Sequence, residues 1–139
     1  MLNEPLKAVL DSSIVIQTVV KEKYTDIIIK LVSMLKEIYV PSLILYEIVN
    51  ALVILTLKNF IAKEDAKRNF NYIKSIPTLN IEEIEFKKAI EMVIKLDITL
   101  YDASYLALEV EAPLITADME LYEKGKNISK VIHASKVMF

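Results

Sequence analysis

The sequence contains no cysteine, and its only histidine is His133. The absence of cysteine excludes disulfide bonds and metal sites built on thiolates, and it is compatible with an intracellular location. One histidine cannot supply a metal site of several imidazole ligands. Any metal bound by this chain would therefore depend on oxygen ligands.

The sequence also lacks an excess of positive charge and a long uninterrupted apolar run. The net charge is −2, so affinity for nucleic acid cannot be inferred from the charge balance. The most apolar stretch, LILYEIVNALVILTL (43–57), contains Glu47 and Asn50 and is shorter than the roughly 20 apolar residues of a membrane span. We predict a buried helix there instead. The start, MLNEPLK, has an acid and a proline before any apolar run, so we expect no signal peptide and a cytoplasmic location.

Flexible linkers, low-complexity tracts and internal repeats are absent as well. The chain has 139 residues, of which 54% are hydrophobic, enough to bury a substantial core. We therefore predict a single domain over residues 1–139.

Apolar periodicity predicts strands that alternate with helices. The predicted strands cover 6–11, 38–40, 78–81, 113–116 and 130–133. The predicted helices cover 24–35, about 42–58, 66–73, 86–93, 101–110 and 119–124, the last closed by Gly125. This alternation is typical of βαβ units, so we predict an α/β fold with a mainly parallel sheet, helices on both faces and right-handed crossovers.

Four acids stand where an apolar pattern ends or is interrupted. Asp11 follows the first predicted strand, and Asp118 lies two residues beyond the fourth. Asp102 lies in the first turn of the helix in TLYDASYLALE (99–109), and Glu47 interrupts the apolar helix. Ligands of parallel α/β sheets gather outside the carboxyl ends of the strands. These acids, distant in sequence, could therefore converge on one site.

Each acid also has an ordinary structural interpretation. Thr99 and Asp102 fit a loose capping box, Asp118 could cap the short helix that follows it, and Asp11 could start a turn. Glu47 is the hardest to explain in this way, because a buried carboxylate costs several kcal/mol unless it is paired or bound to a cation. Its own helix offers no nearby lysine or arginine, although a distant lysine could pair with it.

A cluster of carboxylates would take up protons unless a cation intervened. Oxygen ligands suit Mg²⁺ or Mn²⁺, which keep several waters and bind phosphates. Such an ion can polarise a phosphoryl oxygen and generate hydroxide for in-line attack. The cluster therefore indicates phosphodiester or phosphate chemistry, and spacing alone does not choose between them.

The four acidic segments resemble one known family when they are taken together and in order. They are VLDSS (9–13), VPSLILYEIVNAL (40–52), YDASYLALE (101–109) and LITAD (114–118). This series closely resembles the PIN-domain family and, more narrowly, the VapC-type toxin ribonucleases of prokaryotic toxin–antitoxin pairs. Glu109 departs from the pattern, since these toxins often have a small residue there.

The resemblance implies a three-layer αβα PIN-like fold and an Mg²⁺- or Mn²⁺-dependent endoribonuclease, usually a homodimer, with RNA as its substrate. It also implies a cognate antitoxin that inserts a peptide, often with a basic residue, into the acidic groove. The matching catalytic and metal-ligating residues are Asp11, Glu47, Asp102 and Asp118, supported by the polar residues Ser13, Asn50 and Thr116.

Several other side chains have both a functional and a structural interpretation. Three lysines share a helix face that could guide an RNA backbone or could simply be solvated: Lys63, Lys67 and Lys74. His133 is interpreted as structural. Tyr101 and Tyr105, one helical turn apart, are interpreted as packing residues, with stacking on a base as the alternative.

Three other functions compete with the toxin hypothesis. One is an RNA-processing or RNA-decay nuclease of the same fold without an antitoxin. A phosphoacceptor signalling domain also binds Mg²⁺ at strand ends, but it needs an acidic pair where DSS (11–13) supplies one acid, and a DxD phosphotransferase fails at the same place. A non-catalytic interaction module would require a missing metal ligand, and all four acids are present.

Overall fold

The computed structural model describes residues 6–139, and this part of the chain is built on a parallel β-sheet of five strands. The strands are β1 (Lys7–Leu10), β2 (Glu37–Pro41), β3 (Leu79–Glu82), β4 (Leu114–Thr116) and β5 (Val131–His133). They lie in the order β3-β2-β1-β4-β5, and every neighbouring pair is parallel. The predicted parallel sheet is confirmed. The expectations that concern residues 1–5, namely the absence of a signal peptide and the start of the domain, lie outside the described residues.

Helices connect successive strands and complete a three-layer α/β fold. They are α1 (Ser12–Val15), α2 (Thr25–Met34), α3 (Ile44–Leu57), α4 (Lys63–Lys74), α5 (Phe86–Leu96), α6 (Leu100–Leu106) and α7 (Met119–Gly125). Short 3-10 turns cover Ile16–Thr18 and Ala134–Lys136. The sequence did not predict α1, because a single helical turn is too short to show periodicity. The helix predicted over 101–110 ends at Leu106 instead, since the chain must leave the helix before Pro113 to enter β4.

The core lies between the central strands and the inner faces of the helices. Ala8, Val9 and Leu10 of β1 are all buried, as expected for a parallel strand covered on both faces. Gly125 was predicted to close the helix over 119–124, and it is the last residue of α7, without a positive φ. A Cβ there would lie 3.3 Å from Val131 Cγ2, so this glycine allows α7 to approach β5 closely.

Helix α3 differs from the buried helix that its apolar sequence predicted. One face is buried through Ile44, Ile48 and Leu52, which recur every four residues. The opposite side exposes large apolar side chains: Tyr46, Val49, Val53, Ile54 and Leu57. The prediction is wrong for that side, because within residues 6–139 only one face of α3 is buried in the core. No helix in residues 6–139 is long and apolar enough to cross a membrane.

The strand order points to the edge between β1 and β4 as the place where a ligand would bind. From β1 the chain proceeds to β2 and β3 on one side, and β4 and β5 lie on the other. The order therefore reverses between β1 and β4, and parallel α/β sheets bind ligands beyond the strand ends at such a reversal. Asp11 directly follows β1, and Asp118 lies two residues beyond the end of β4.

Candidate active site

Asp11 is held in a buried hydrogen-bond network at the end of β1. Its side chain is only 3% exposed and caps α1, with Oδ1 accepting a bond from Ile14 N at 3.2 Å. Ser13 Oγ donates to Oδ1 at 2.6 Å, and Thr116 Oγ1 donates to Oδ2. Burial raises the pKa of Asp11 to about 7, although these bonds oppose the shift and the negative charge of Asp118 adds to it.

The hydroxyl groups of Ser13 and Thr116 join the ends of β1 and β4. Ser13 Oγ accepts a bond from Ala117 N, and Thr116 Oγ1 accepts one from Asp118 N, each at 2.9 Å. Both hydroxyl groups thus contact Asp11 and also fix the chain that leads to Asp118. The two residues predicted as supporting polar groups lie beside the first acid.

Asp118 caps α7, as its ordinary interpretation proposed. Its Oδ1 accepts bonds from Glu120 N at 2.9 Å and Leu121 N at 3.2 Å. In residues 6–139 no hydrogen bond reaches Oδ2. The cap therefore orients this carboxylate while leaving one oxygen available to a ligand.

Asp102 does not form the capping box that its sequence suggested. Thr99 Oγ1 accepts a bond from Asp102 N at 3.1 Å, but within the described chain nothing donates to the Asp102 carboxylate and the reciprocal bond to Thr99 is not made. The side chain is partly buried. Burial raises its pKa to about 6, together with the negative charges of Asp118, Glu47 and Glu120, against the opposing charge of Lys124.

Glu47 lies partly buried in the first turn of α3. The Tyr105 hydroxyl donates to its Oε1. Burial raises the pKa of Glu47, and the hydrogen bonds from Tyr105 and Ser12 oppose that shift. Across residues 6–139 no ion pair joins Glu47 to a lysine or arginine, so the lysine partner considered in its structural interpretation is not found there.

Tyr105 is a site residue that the sequence did not identify. It was interpreted as packing, and its ring is indeed buried, with 3% exposure. Its hydroxyl group, however, accepts a bond from Ser12 N at 3.2 Å and donates to Glu47. One phenol thus connects α6, α1 and α3 beside the acids. A physical rule could have identified Tyr105 from the sequence, because the hydroxyl group of a buried tyrosine requires a polar partner.

The remaining candidates lie at or beyond the edge of the cluster. Asn50 is exposed, and it lines a cavity together with Glu47, Ser12 and Tyr101. His133 is 3% exposed, with Nδ1 2.8 Å from Ser135 Oγ, in agreement with its structural interpretation.

The three candidate lysines lie on α4, outside the acidic cluster. Lys63 and Lys67 line an apolar groove between α3 and α4, and Lys67 pairs with Glu64 at 3.7 Å. Lys74 Nζ lies 5.7 Å from the centre of the Phe70 ring. None of these lysines is an ion-pair partner of the four acids in the described part of the chain.

The carboxylate oxygens suit a hard divalent cation that keeps several waters, rather than an ion fully enclosed by protein ligands. Within the described residues no three side chains of His, Cys, Asp or Glu are disposed to hold a single ion. Oxygens of Asp11, Glu47 and Asp118 are instead engaged by donors of the protein. Mg²⁺ is commonly held by one or two carboxylates, with waters and substrate phosphates as its other ligands. The acids can supply these carboxylate ligands. The raised pKa values of Asp11 and Asp102 reflect burial and like charge that a cation would offset.

Comparisons with known proteins agree with this architecture. The sequence model of the PIN domain family matches residues 8–127. The chain is similar to Ribonuclease VapC3 of Pyrobaculum aerophilum, with 26% identity over 125 residues that cover 86% of this chain and 95% of that protein.

Solved structures share the fold at low sequence identity. The crystal structure of PAE2754 from Pyrobaculum aerophilum has a TM-score of 0.70 and 22% identity, covering 94% of this chain and 92% of that one. The crystal structure of VapBC2 from Rickettsia felis, bound to a DNA fragment from their promoter, has a TM-score of 0.61 and 19% identity, covering 92% of this chain and 97% of that one. The crystal structure of VapC20 from Mycobacterium tuberculosis, described as a sarcin-ricin loop cleaving toxin, has a TM-score of 0.62 and 11% identity, covering 85% of this chain and 95% of that one. The predicted three-layer fold is confirmed.

Proposed function

Because the chain belongs to the PIN domain family, we propose that it is an endoribonuclease and the toxin of a toxin–antitoxin pair. The observation that supports the proposal is electrostatic: the charge of Asp118 acts on Asp11, and the charges of Asp118 and Glu47 act on Asp102, beside the reversal of strand order. The similarity to Ribonuclease VapC3 supports RNA as the substrate. We assign residues 1–139 to one PIN domain.

The four acids are proposed to hold Mg²⁺ or Mn²⁺ and to act in catalysis. When bound, the ion supplies a Lewis acid for the scissile phosphate and lowers the pKa of a bound water. Asp11 is kept in one orientation by Ser13 and Thr116, so its position does not depend on the ion. Glu47 and Asp102 are partly exposed and can face the substrate, and the available Oδ2 of Asp118 can face the ion.

The proposed partners follow from charge and exposed apolar surface. A basic side chain of an antitoxin peptide would neutralise the acidic cluster, and the likeness to VapBC2 supports such a partner. A second copy of the chain would cover exposed apolar residues of α5, namely Phe86, Ile90 and Ile94. Lys63, Lys67 and Lys74 remain proposed guides for the RNA backbone. RNA and antitoxin would be met in the cytoplasm, where we place the protein.

The test is cleavage of total RNA by the purified protein with Mn²⁺, with the cut sites mapped and EDTA as the metal-free control. We expect discrete cuts that disappear with EDTA. Asp11→Asn should reduce cleavage at least about 100-fold, whereas Asp26→Asn, which changes an exposed acid paired to Lys21, should leave it unchanged. Cleavage that persists in EDTA, or in Asp11→Asn at the wild-type rate, would contradict the proposal.

A further inference from the structure

A cavity of about 560 Å³ lies against the acidic cluster. Its lining includes Ser12, Glu47, Asn50 and two tyrosines, Tyr46 and Tyr101. Tyr46 directly precedes Glu47, and Tyr101 directly precedes Asp102. The tyrosines therefore stand on the two helices that supply the partly exposed acids, at the opening next to the proposed reaction site.

The rings of Tyr46 and Tyr101 are exposed to solvent. Tyr46 is 73% exposed and Tyr101 is 48% exposed, whereas Tyr105, on the same helix as Tyr101, is only 3% exposed. The two exposed rings contribute little to the core. Their apolar faces are available to a ligand that can stack on them.

The polar groups of the cavity suit the edge of a heterocyclic base. The Asn50 side chain offers both a donor and an acceptor, and the Ser12 hydroxyl group, which bonds to Glu47, can still accept a hydrogen bond. The volume lies within the range of about 300 to 1,000 Å³ found for small-molecule sites. Single-stranded RNA is commonly recognised by bases that leave the stack, pack on aromatic side chains and form hydrogen bonds through their edges.

We propose that this cavity binds an unstacked base of the RNA substrate, which stacks on Tyr101 and Tyr46 next to the phosphate that is cut. The inference rests on the proposed ribonuclease function. The base would fix the register of the RNA relative to the acids. The chain would therefore prefer single-stranded RNA, because a paired base cannot enter the cavity.

The experiment compares aromatic with aliphatic replacements. Tyr46→Leu and Tyr101→Leu keep an apolar side chain but remove the ring, while Tyr46→Phe and Tyr101→Phe keep the ring. Tyr72→Leu is the matched control, because Tyr72 is 56% exposed on α4 and does not line this cavity. Steady-state cleavage of a short single-stranded RNA with Mn²⁺ gives kcat and KM for each variant.

We expect the leucine variants to raise KM about 5- to 140-fold, the range that corresponds to loss of one stacked base, with kcat changed less than about 3-fold. The phenylalanine variants and Tyr72→Leu should have a KM close to that of the wild type. The Mn²⁺-induced rise in Tm should be the same in all variants, which shows that the neighbouring acids still bind metal.

Three outcomes would overturn the inference. Unchanged KM in both leucine variants, with normal cleavage by the wild type, would overturn the base site alone. A change in molar mass by light scattering in the leucine variants, with KM rising equally in the phenylalanine variants, would assign the tyrosines to a contact between copies. A wild-type protein that cleaves no RNA would overturn the proposed function and the base site with it.

Discussion

The acidic cluster has two halves that are built differently. Asp11 and Asp118 stand at the ends of neighbouring strands, where the Ser13 and Thr116 hydroxyl groups and backbone amides fix them. Glu47 and Asp102 stand on helices, are partly exposed and receive few hydrogen bonds. The carboxylates at the strand ends are therefore anchored by hydrogen bonds, whereas Asp102 on its helix is influenced mainly by burial and neighbouring charge.

The largest expected effect comes from Asp102→Asn, in the half of the cluster that stands on helices. Cleavage of RNA with Mn²⁺ should fall at least about 100-fold, because a ligand charge is removed. Stability without metal should hold or rise, since like-charge repulsion is relieved and no hydrogen bond to this carboxylate is lost. Thermal denaturation with and without Mn²⁺ should show a smaller metal-induced rise in Tm than in the wild type. A variant that retains wild-type cleavage and the full metal-induced rise would remove Asp102 from the site.

Thr116→Val tests the half of the cluster at the strand ends. Unlike Asp102→Asn, it should lower the stability of the metal-free protein. It removes the donor to Asp11 and the acceptor for Asp118 N while nearly preserving volume. We expect a loss of about 1–3 kcal/mol in the free energy of unfolding even without metal, and cleavage reduced about 10-fold. Thr56→Val is the control, because within residues 6–139 Thr56 Oγ1 bonds only to Leu52 O of the same helix. Equal stability of both variants in denaturant titrations would show that the hydrogen bonds of Thr116 do not stabilise the fold.

Tyr105→Phe tests the connection between the two halves. Removing the hydroxyl leaves Ser12 N without its acceptor and releases Glu47, while the ring still fills the core. We expect the Mn²⁺ concentration for half-maximal cleavage to rise about 3- to 10-fold. Tyr39→Phe is a matched control, because it removes a tyrosine–glutamate bond to Glu37 on β2. An unchanged metal requirement in Tyr105→Phe would limit this tyrosine to packing.

The smallest expected effect is a dependence on pH. Asp11 and Asp102 have folded pKa values of about 7 and about 6, above the ordinary value of 3.8, so the folded metal-free protein binds their protons more tightly than the unfolded chain does. Their contribution to stability is therefore full below about pH 4, decreases as the pH rises, and is lost once the pH has passed through the folded pKa values of about 6 and about 7. Between pH 4 and pH 7 the Tm of the metal-free wild type should fall by a few degrees more than the Tm of Asp102→Asn. The Mn²⁺-induced rise in Tm should grow over the same range, because the metal binds the deprotonated acids.

The sequence predicted the parallel sheet well because short apolar segments, such as the buried Ala8, Val9 and Leu10 of β1, alternate with helical patterns along the chain. It also indicated the four acids, since each follows or interrupts an apolar pattern. It could not predict α1, which is a single turn, nor the outward apolar side of α3, because periodicity cannot distinguish a covered face from one left exposed. The Tyr105 bond was beyond reach for another reason, since it joins residues 58 positions apart.

The most direct test of the central claim is an anomalous difference map from crystals soaked with Mn²⁺. We predict a peak at the carboxyl ends of β1 and β4, with carboxylate oxygens of Asp11 and of Asp102 or Asp118 about 2 Å away and Glu47 within reach of its water shell. A map without a peak there, or with the Glu47 carboxylate beyond roughly 10 Å from those of Asp11 and Asp102, would contradict a single site built from four acids.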